Sequence, residues 1–230
     1  MSKNLNEPCY LISGLSGSIG GALAESLISK GHEVIGITRG ESDSKINSKY
    51  PNVSWLKYDS SLEEVNPKII NNLKEIIGDR QLKAVFHCAG THSSGSPMEL
   101  SQNEFLNCFK GNLISTVNVV KLTFDLIHPG GSCIVLNSQA SISASSEEVA
   151  YGLSKRAVSS YIDGMQAEAT KRKIQLVNVL PGAVKSSMAK GRENYDKFID
   201  ASELASLLIY ISEAGASIRI KDIEILRRNY

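Results

Sequence analysis

Hydrophobic and polar positions follow two patterns that alternate along nearly the whole chain. Short apolar runs predict strands, and longer segments with apolar residues three and four positions apart predict helices. The predicted strands cover residues 9–13, 32–38, 53–59, 82–90, 132–137, 174–180 and 217–226, and the predicted helices cover residues 19–30, 66–77, 112–127, 149–171 and 201–213. This alternation predicts an α/β fold in which helices cover both faces of a parallel sheet. Because such crossovers are right-handed, we expect a doubly wound sheet in a three-layer α/β/α arrangement.

Length and composition restrict both the architecture and the class of partner. The 230 residues, of which 42% are hydrophobic and 21% charged, suit a single domain spanning residues 1–230. The formal net charge of +1 offers no strong field for nucleic acid or for an anionic membrane. The polar start of the chain lacks the apolar segment of a signal peptide, and no apolar run approaches the roughly 20 residues of a membrane span. We therefore expect a cytoplasmic protein whose partner is a small molecule.

The cysteine and histidine positions do not indicate a metal site. The four cysteines form no Cys-x-x-Cys pair, and the four histidines do not fall at the spacing of metal ligands. Cys9, Cys88 and Cys133 fall in predicted strands, where we expect them to be buried in a reducing compartment. No metal is predicted.

A glycine-rich segment, SGLSGSIGGALAES, joins the first predicted strand to the first predicted helix. Glycines at this place permit a tight turn, and the amino end of the helix offers free N–H groups to a pyrophosphate. The alternative is an ordinary strand-to-helix turn, but the position after the first strand favours a dinucleotide site. The residues expected to contact the dinucleotide are Gly14, Ser16, Gly17, Ser18, Ile19 and Gly20.

Two positions further along bear on the kind of dinucleotide. The second predicted strand ends at Thr38 and Arg39, and the first carboxylate after it is Glu41. An acidic residue at this point favours NAD, whereas an arginine accommodates the 2′-phosphate of NADP. We therefore predict a preference for NADP(H), with NAD(H) possible and a plain surface role for Arg39 as the alternative. Asp59, which ends the third predicted strand, is expected either to bind the adenine amino group or to cap the following helix.

Further segments follow the glycine-rich loop in a fixed order. They are HCAG at 87–90, GNLISTVNVV at 111–120, GSCIVLNSQAS at 131–141, YGLSK at 151–155 and VNVLPGAVKSSM at 177–188. Together they resemble the short-chain dehydrogenase/reductase family, whose fold is the Rossmann fold, over nearly the whole chain. Ser18 stands where the family's middle glycine would be, which resembles the spacing of the extended branch, yet only about 50 residues follow Pro181, the length of a classical member. His87 and Cys88 replace two asparagines of the family pattern.

The resemblance implies a catalytic set of Ser138, Tyr151, Lys155 and Asn112. Tyr151 would supply a proton to a carbonyl oxygen, and Lys155, one helical turn along, would lower the pKa of the phenol and orient the nicotinamide ribose. Ser138 would donate a hydrogen bond to the same oxygen, and Asn112 would hold a water that joins Lys155 to solvent. The alternatives are a solvated helix face for Tyr151 and Lys155, a local backbone bond for Ser138 and a helix-starting role for Asn112.

The resemblance also implies the remaining cofactor contacts and the reaction. Besides Tyr151 and Lys155, the expected contacts are Ala89, Gly90, Pro181, Gly182, Val184 and Ser186. The implied activity is NADPH-dependent reduction of a ketone, such as a 3-oxoacyl thioester or a keto-sugar, in a homodimer or homotetramer. An NAD(P)-dependent alcohol dehydrogenase and a catalytically silent dinucleotide-binding protein are the alternatives. The segment 91–100 is the other expected wall of the site, and its serines and His92 are interpreted as solvated rather than as substrate contacts.

Overall fold

A computed structural model of the chain describes residues 7–39, 48–215 and 217–228. In these residues seven parallel strands form one sheet in the order β3-β2-β1-β4-β5-β6-β7. The strands are β1 Pro8–Ser13, β2 Glu33–Thr38, β3 Ser54–Lys57, β4 Gln81–His87, β5 Ile127–Leu136, β6 Gln175–Pro181 and β7 Asp222–Ile225. The helices of the described residues are α1 Ser18–Ser29, α2 Pro67–Ile77, α3 Gln102–Phe109, α4 Ser115–Thr123, α5 Val149–Lys171 and α6 Ala201–Ser212.

Two hydrophobic cores, one on each face of the sheet, confirm the predicted three layers. Successive residues of β1 point to opposite faces, so that Leu11 belongs to one core and Ile12 to the other. Helices α2, α4 and α5 cover the first face, and α1 and α6 cover the second. Both faces are therefore buried, which is why most strands are apolar throughout rather than alternating. No helix of the described residues is long and apolar enough to cross a membrane.

The sheet changes direction of growth between β1 and β4, which are neighbours although two other strands lie between them in sequence. In a doubly wound sheet, the connections on the two sides of such a reversal pass over opposite faces of the sheet. A crevice therefore opens between them at the carboxyl ends of the strands. The loops after β1 and β4 therefore face each other across this crevice.

The largest departure from the predicted elements is a helix over residues 102–123 where only residues 112–127 were expected. Helix α3 begins at a capping box in which Ser101 accepts a hydrogen bond from the Glu104 N–H, and the Glu104 carboxylate accepts one from the Ser101 N–H. A π-helical turn at Lys110–Ile114 joins α3 to α4. The glycine at 111 and the polar residues before it break the apolar periodicity, which is why the prediction placed the helix start too late.

Other differences affect the ends of elements. Strand β4 ends at His87 rather than at residue 90, because the next residues leave the sheet to line the crevice. Helix α4 ends at Thr123, and β5 begins at Ile127, so the predicted helix extended too far. Strand β7 covers four residues rather than ten.

His87, at the end of β4, is a buried ionisable side chain with an unusual environment. It is 1% exposed, and within the described residues neither ring nitrogen has a hydrogen-bond partner. Burial, with a smaller contribution from the charge of Lys155, lowers the pKa of His87 to about 3. The folded chain therefore keeps this imidazole neutral at pH values where an unfolded chain protonates it.

This environment predicts an acid-dependent loss of stability that belongs to one residue. Between the ordinary histidine pKa of about 6.5 and the folded value, unfolding takes up one proton at His87. The free energy of unfolding should then fall as the pH drops through this window, by at most about 1.4 kcal/mol per pH unit from this group. We expect His87→Asn to remove this part of the slope in urea denaturation between pH 6.5 and 4. The exposed His128→Asn is the control, and an equal slope in all three proteins would contradict the assignment.

Candidate active site

Two adjoining cavities open at the carboxyl ends of the strands, where the sheet changes direction. Their volumes are about 330 and 420 Å³, and they share a wall that includes Gly14, Gly90 and Thr91. The first cavity is lined by the predicted residues Gly14, Gly17, Ser18, Ile19, Gly20, Gly90, Asn112, Ser138, Tyr151, Lys155, Pro181, Gly182, Val184 and Ser186. The second adds Ser16, Arg39, Asp59 and Ala89. All the residues predicted from the sequence therefore lie around one continuous crevice.

The glycine-rich loop has the geometry of a phosphate cradle. Gly14 has a φ of +80°, and a Cβ there would lie 2.6 Å from the backbone nitrogen of Ala89. A Cβ at Gly20 would overlap the carbonyl oxygen of Gly14, so α1 also starts in backbone contact with the turn. The Gly17 N–H donates to the Gly14 carbonyl at 3.0 Å, and no side chain caps the amino end of α1. The cradle and the uncapped helix end fit a dinucleotide pyrophosphate.

Arg39 and Asp59 lie at the far end of the crevice. Arg39 is exposed at the carboxyl end of β2 and lines the second cavity. The Oδ1 atom of Asp59 accepts hydrogen bonds from the N–H of Ser61 at 3.0 Å and from its hydroxyl at 2.6 Å. Asp59 therefore caps a local turn rather than a helix, since α2 begins later with its own cap at Asn66. The predicted contact of Asp59 with adenine stays a prediction.

Asn112 lies in the π-helical turn and ties three segments together. Its Oδ1 accepts from the Thr91 N–H at 2.9 Å, and its Nδ2 donates to the Thr91 carbonyl and to the Ser154 hydroxyl, each at 2.9 Å. A side chain at position 111 would overlap Thr91, so Gly111 permits this close approach. Asn112 is thus a structural link between the loop after β4 and helix α5. Its predicted role in holding a water stays a prediction.

Ser138, Tyr151 and Lys155 meet in the first cavity. The Ser138 Oγ accepts a hydrogen bond from the Ala140 N–H at 3.1 Å. Lys155, 5% exposed, donates from Nζ to the Leu136 carbonyl at 3.0 Å and lies 5.8 Å from the centre of the Tyr151 ring. The solvated-face alternative for the pair on α5 is therefore wrong, because Lys155 is buried and Tyr151 is half-buried against the cavity.

The electrostatics of this set differ from the prediction. Burial raises the pKa of Tyr151 above its usual value of 10, although a hydrogen bond from Ser138 opposes the rise. Burial also lowers the pKa of Lys155 to about 8. The prediction that Lys155 lowers the pKa of the Tyr151 phenol is thus wrong when only the protein's own groups act on it. Burial destabilises the charged form of Lys155 itself. Both side chains are shifted toward their uncharged forms.

A lid closes the outer side of the first cavity, and its two ends are joined. Val184 and Ile199 form a parallel β-bridge, and the Lys185 N–H donates to the Ile199 carbonyl at 2.8 Å. The Lys185 ammonium also lies 3.1 Å from the Asp200 carboxylate. The segment between these ends carries Ser186, Met188 and Arg192, which line the cavity.

Sequence reasoning missed or misassigned several residues of the first cavity. His92 was interpreted as solvated, but it lines the cavity, and its Nε2 lies 3.0 Å from the Glu148 carboxylate. Thr91, Glu148 and Arg192 were not singled out. A signal existed only for Glu148, which directly precedes helix α5 and lies three positions before Tyr151. No cluster of three or more His, Cys, Asp or Glu that suits a metal ion occurs in the part of the chain that the structure describes.

The three hydrogen bonds of Asn112 predict a stability effect that matches its structural role. Asn112→Ala would remove a partner of the buried Ser154 hydroxyl and both side-chain partners of the Thr91 backbone, at a cost of about 2 kcal/mol in the free energy of unfolding. The exposed Asn107→Ala on α3 is the matched control and should cost less than about 0.5 kcal/mol. Urea denaturation measures both, and equal effects would show that the Asn112 contacts contribute little.

Comparison with known proteins identifies the family. A sequence model described as short chain dehydrogenase matches residues 8–196. The NADPH-dependent 3-dehydrocapnine reductase of Ornithobacterium rhinotracheale is 24% identical over 86% of this chain and 74% of its own length. The 3-oxoacyl-(acyl-carrier-protein) reductase of Buchnera aphidicola is 22% identical over 93% of each chain. The crystal structure of an alcohol dehydrogenase from the archaeon Thermococcus sibiricus, complexed with 5-hydroxy-NADP, shares the fold with a TM-score of 0.82.

That structure is 20% identical and is covered over its whole length by 98% of this chain, so it supports the fold alone. The family match extends from β1 through most of the lid and includes every segment that forms the first cavity. The chain belongs to the short-chain dehydrogenase/reductase family, whose members are oxidoreductases that act on alcohol and ketone groups with NAD(P).

Proposed function

We propose that this protein is an NADPH-dependent reductase that converts a ketone to a secondary alcohol, with Tyr151 as the proton donor. The observation that carries the proposal is the position of Tyr151, whose half-buried phenol lines the cavity beside Ser138 and near Lys155. Because burial raises the pKa of Tyr151, the phenol stays protonated at neutral pH. A protonated phenol is the form that can donate to a carbonyl oxygen, which favours the reductive direction.

Ser138 is placed to hold the carbonyl oxygen. Its Oγ accepts a hydrogen bond from the Ala140 N–H and donates to Tyr151, and a carbonyl oxygen bound beside the phenol would take the place of Tyr151 as the acceptor. A second donor beside the phenol would stabilise negative charge as it develops on the oxygen. The serine comes directly after β5, and this position on the sheet gives the donor a fixed direction.

Lys155 would resupply the proton that Tyr151 loses. Its Nζ uses one hydrogen on the Leu136 carbonyl, and an ammonium has two more for a ribose hydroxyl and a water. With a pKa of about 8, Lys155 can take up and release a proton near neutral pH. A Cβ at position 90 would lie 3.6 Å from the Nζ, so Gly90 leaves space around it.

NADPH fits the remainder of the crevice. The cradle at Gly14, the uncapped start of α1 and Arg39 at the end of β2 suit a pyrophosphate and a 2′-phosphate. When bound, NADPH supplies the hydride that goes to the carbonyl carbon. The similarity to an NADPH-dependent reductase supports the same cofactor. The two substrate types that the family resemblance implies are a 3-oxoacyl thioester and a keto-sugar.

Removing the phenol hydroxyl should separate binding from chemistry. Tyr151→Phe removes the proton donor but keeps the ring, so we expect NADPH affinity within about twofold of wild type and a loss of turnover of at least about 100-fold. Tyr161→Phe is the control on the same helix, because Tyr161 packs against the core on the other side of the sheet from α1 and lines neither cavity. NADPH fluorescence titration and absorbance at the nicotinamide band measure the two quantities. Substantial turnover in Tyr151→Phe would contradict the role.

The cofactor preference should depend on Arg39. A charge-assisted hydrogen bond to a phosphate is worth about 1.5–3 kcal/mol, so Arg39→Ala should weaken NADPH binding by about 10- to 100-fold. Binding of NADH, which lacks the 2′-phosphate, should change little. Arg219→Ala, an exposed arginine outside both cavities, is the control. Equal losses for the two nucleotides would show that Arg39 does not read the 2′-phosphate.

A further inference from the structure

The pair of His92 and Glu148 is a built feature of the substrate side of the cavity. The His92 Nε2 lies 3.0 Å from the Glu148 Oε1, and the two side chains are 20% and 18% exposed. The Gly95 N–H donates to the Glu147 carbonyl at 2.9 Å, which fastens the loop after β4 to the turn before α5. The residue before His92 is itself held by Asn112. The imidazole is therefore fixed by neighbours on both sides.

Glu148 determines which ring nitrogen of a neutral His92 carries the proton. A carboxylate offers acceptors only, and the other groups around it, the Ser145 hydroxyl at 3.4 Å and the Arg192 guanidinium at 3.6 Å, are donors. The His92 Nε2 must then donate to Glu148, which leaves Nδ1 as a lone-pair acceptor. Within the described residues the His92 ring makes no other hydrogen bond. Nδ1 is therefore a free hydrogen-bond acceptor on a side chain that lines the first cavity.

The imidazole lies close to the reacting group. The ring centres of His92 and Tyr151 are 4.8 Å apart, in an edge-on arrangement at 60°. Both side chains line the first cavity, so a substrate whose carbonyl oxygen binds the Tyr151 hydroxyl shares that cavity with the His92 ring. The wall of the same cavity also carries the polar side chains of Gln139 and Ser143.

We propose that His92, oriented by Glu148, selects ketones that carry a hydroxyl on a carbon next to the carbonyl, as keto-sugars do. The hydroxyl donates to Nδ1 while the carbonyl oxygen accepts from Tyr151 and Ser138. A 3-oxoacyl thioester has only acceptors near its ketone, so it would leave Nδ1 unpaired, which costs binding energy in a partly buried site. This inference rests on the proposed ketone reductase function and narrows its substrate class.

Arg192 marks the competing possibility, an anionic substrate. It lines the same cavity, is half exposed, and its distance of 3.6 Å to Glu148 is longer than a hydrogen bond. The geometry favours the hydroxyl because His92 is held on two sides and lies against Tyr151, whereas Arg192 lies on the lid. A keto acid in the experiment distinguishes the two.

The test compares three ketones of similar size with NADPH: 1-hydroxy-2-butanone, 2-butanone and 2-oxobutanoate. For the wild type we expect kcat/KM for the hydroxyketone to exceed that for 2-butanone by at least about tenfold. His92→Phe keeps an aromatic edge against Tyr151 but has no acceptor, so it should reduce this ratio about tenfold. In Glu148→Gln the side-chain amide can donate to the His92 Nε2 as well as accept from it, so the tautomer of His92 is no longer determined. This variant should therefore also reduce the ratio of the two kcat/KM values. The exposed His128→Asn should leave the ratio unchanged.

Each other outcome overturns the inference in a distinguishable way. Equal losses for the hydroxyketone and 2-butanone in His92→Phe would mean that His92 only packs against Tyr151. A wild type that prefers 2-oxobutanoate, with that preference lost in Arg192→Ala, would assign selection to the guanidinium instead. In both cases NADPH oxidation by a ketone still supports the proposed function. Failure of all three ketones to oxidise NADPH would overturn the inference, and the proposed function would fall with it only if a 3-oxoacyl thioester also failed.

Discussion

The backbone of the loop after β1 lies directly against the backbone that leaves β4, and the whole crevice depends on this contact. The approach is so close that a Cβ at Gly14 would lie 2.6 Å from the Ala89 nitrogen. This contact lies at the point where the strand order reverses. The connections that follow β1 and β4 therefore run over opposite faces of the sheet. The two cavities meet at this point and share its residues. The dinucleotide cradle and the reacting groups are therefore adjacent because of sheet topology, and no separate domain is needed to join them.

Burial acts on the two reacting side chains in the same chemical direction. It raises the pKa of Tyr151 and lowers that of Lys155, so each favours its uncharged form. A neutral phenol is a proton donor, which is the role proposed for Tyr151, and the Lys155 pKa of about 8 lies close to neutrality. The low-polarity environment of the crevice thus supports reduction without a permanently charged phenolate. Positive charge brought by an oxidised nicotinamide would favour the reverse direction, in which a phenolate accepts the proton.

The sequence allowed much of this arrangement to be predicted, because the signals for it are local. Strand and helix periodicity indicated the layers, and the segments around Gly14, Ser138 and Tyr151 indicated the crevice. Helix α3 was missed because Gly111 and the π-helical turn interrupt the apolar period, although Ser101 and Glu104 carried a capping signal. The rise in the Tyr151 pKa was not predicted, because it is caused by burial, which depends on tertiary packing.

The residues proposed for the chemistry and the residue proposed for substrate selection occupy different kinds of structure in this protein. Ser138, Tyr151 and Lys155 are held at the end of a central strand and on the long helix α5, which suit a reaction common to a family. His92 and the lid lie on loops, yet these loops are fastened rather than free. The pairing of His92 with Glu148 spans 56 positions in sequence, so no local pattern reveals it. Asn112 connects the two parts, since its side chain binds both the backbone next to His92 and Ser154 on α5. One buried amide therefore joins the loop that carries His92 to the helix that carries Tyr151 and Lys155.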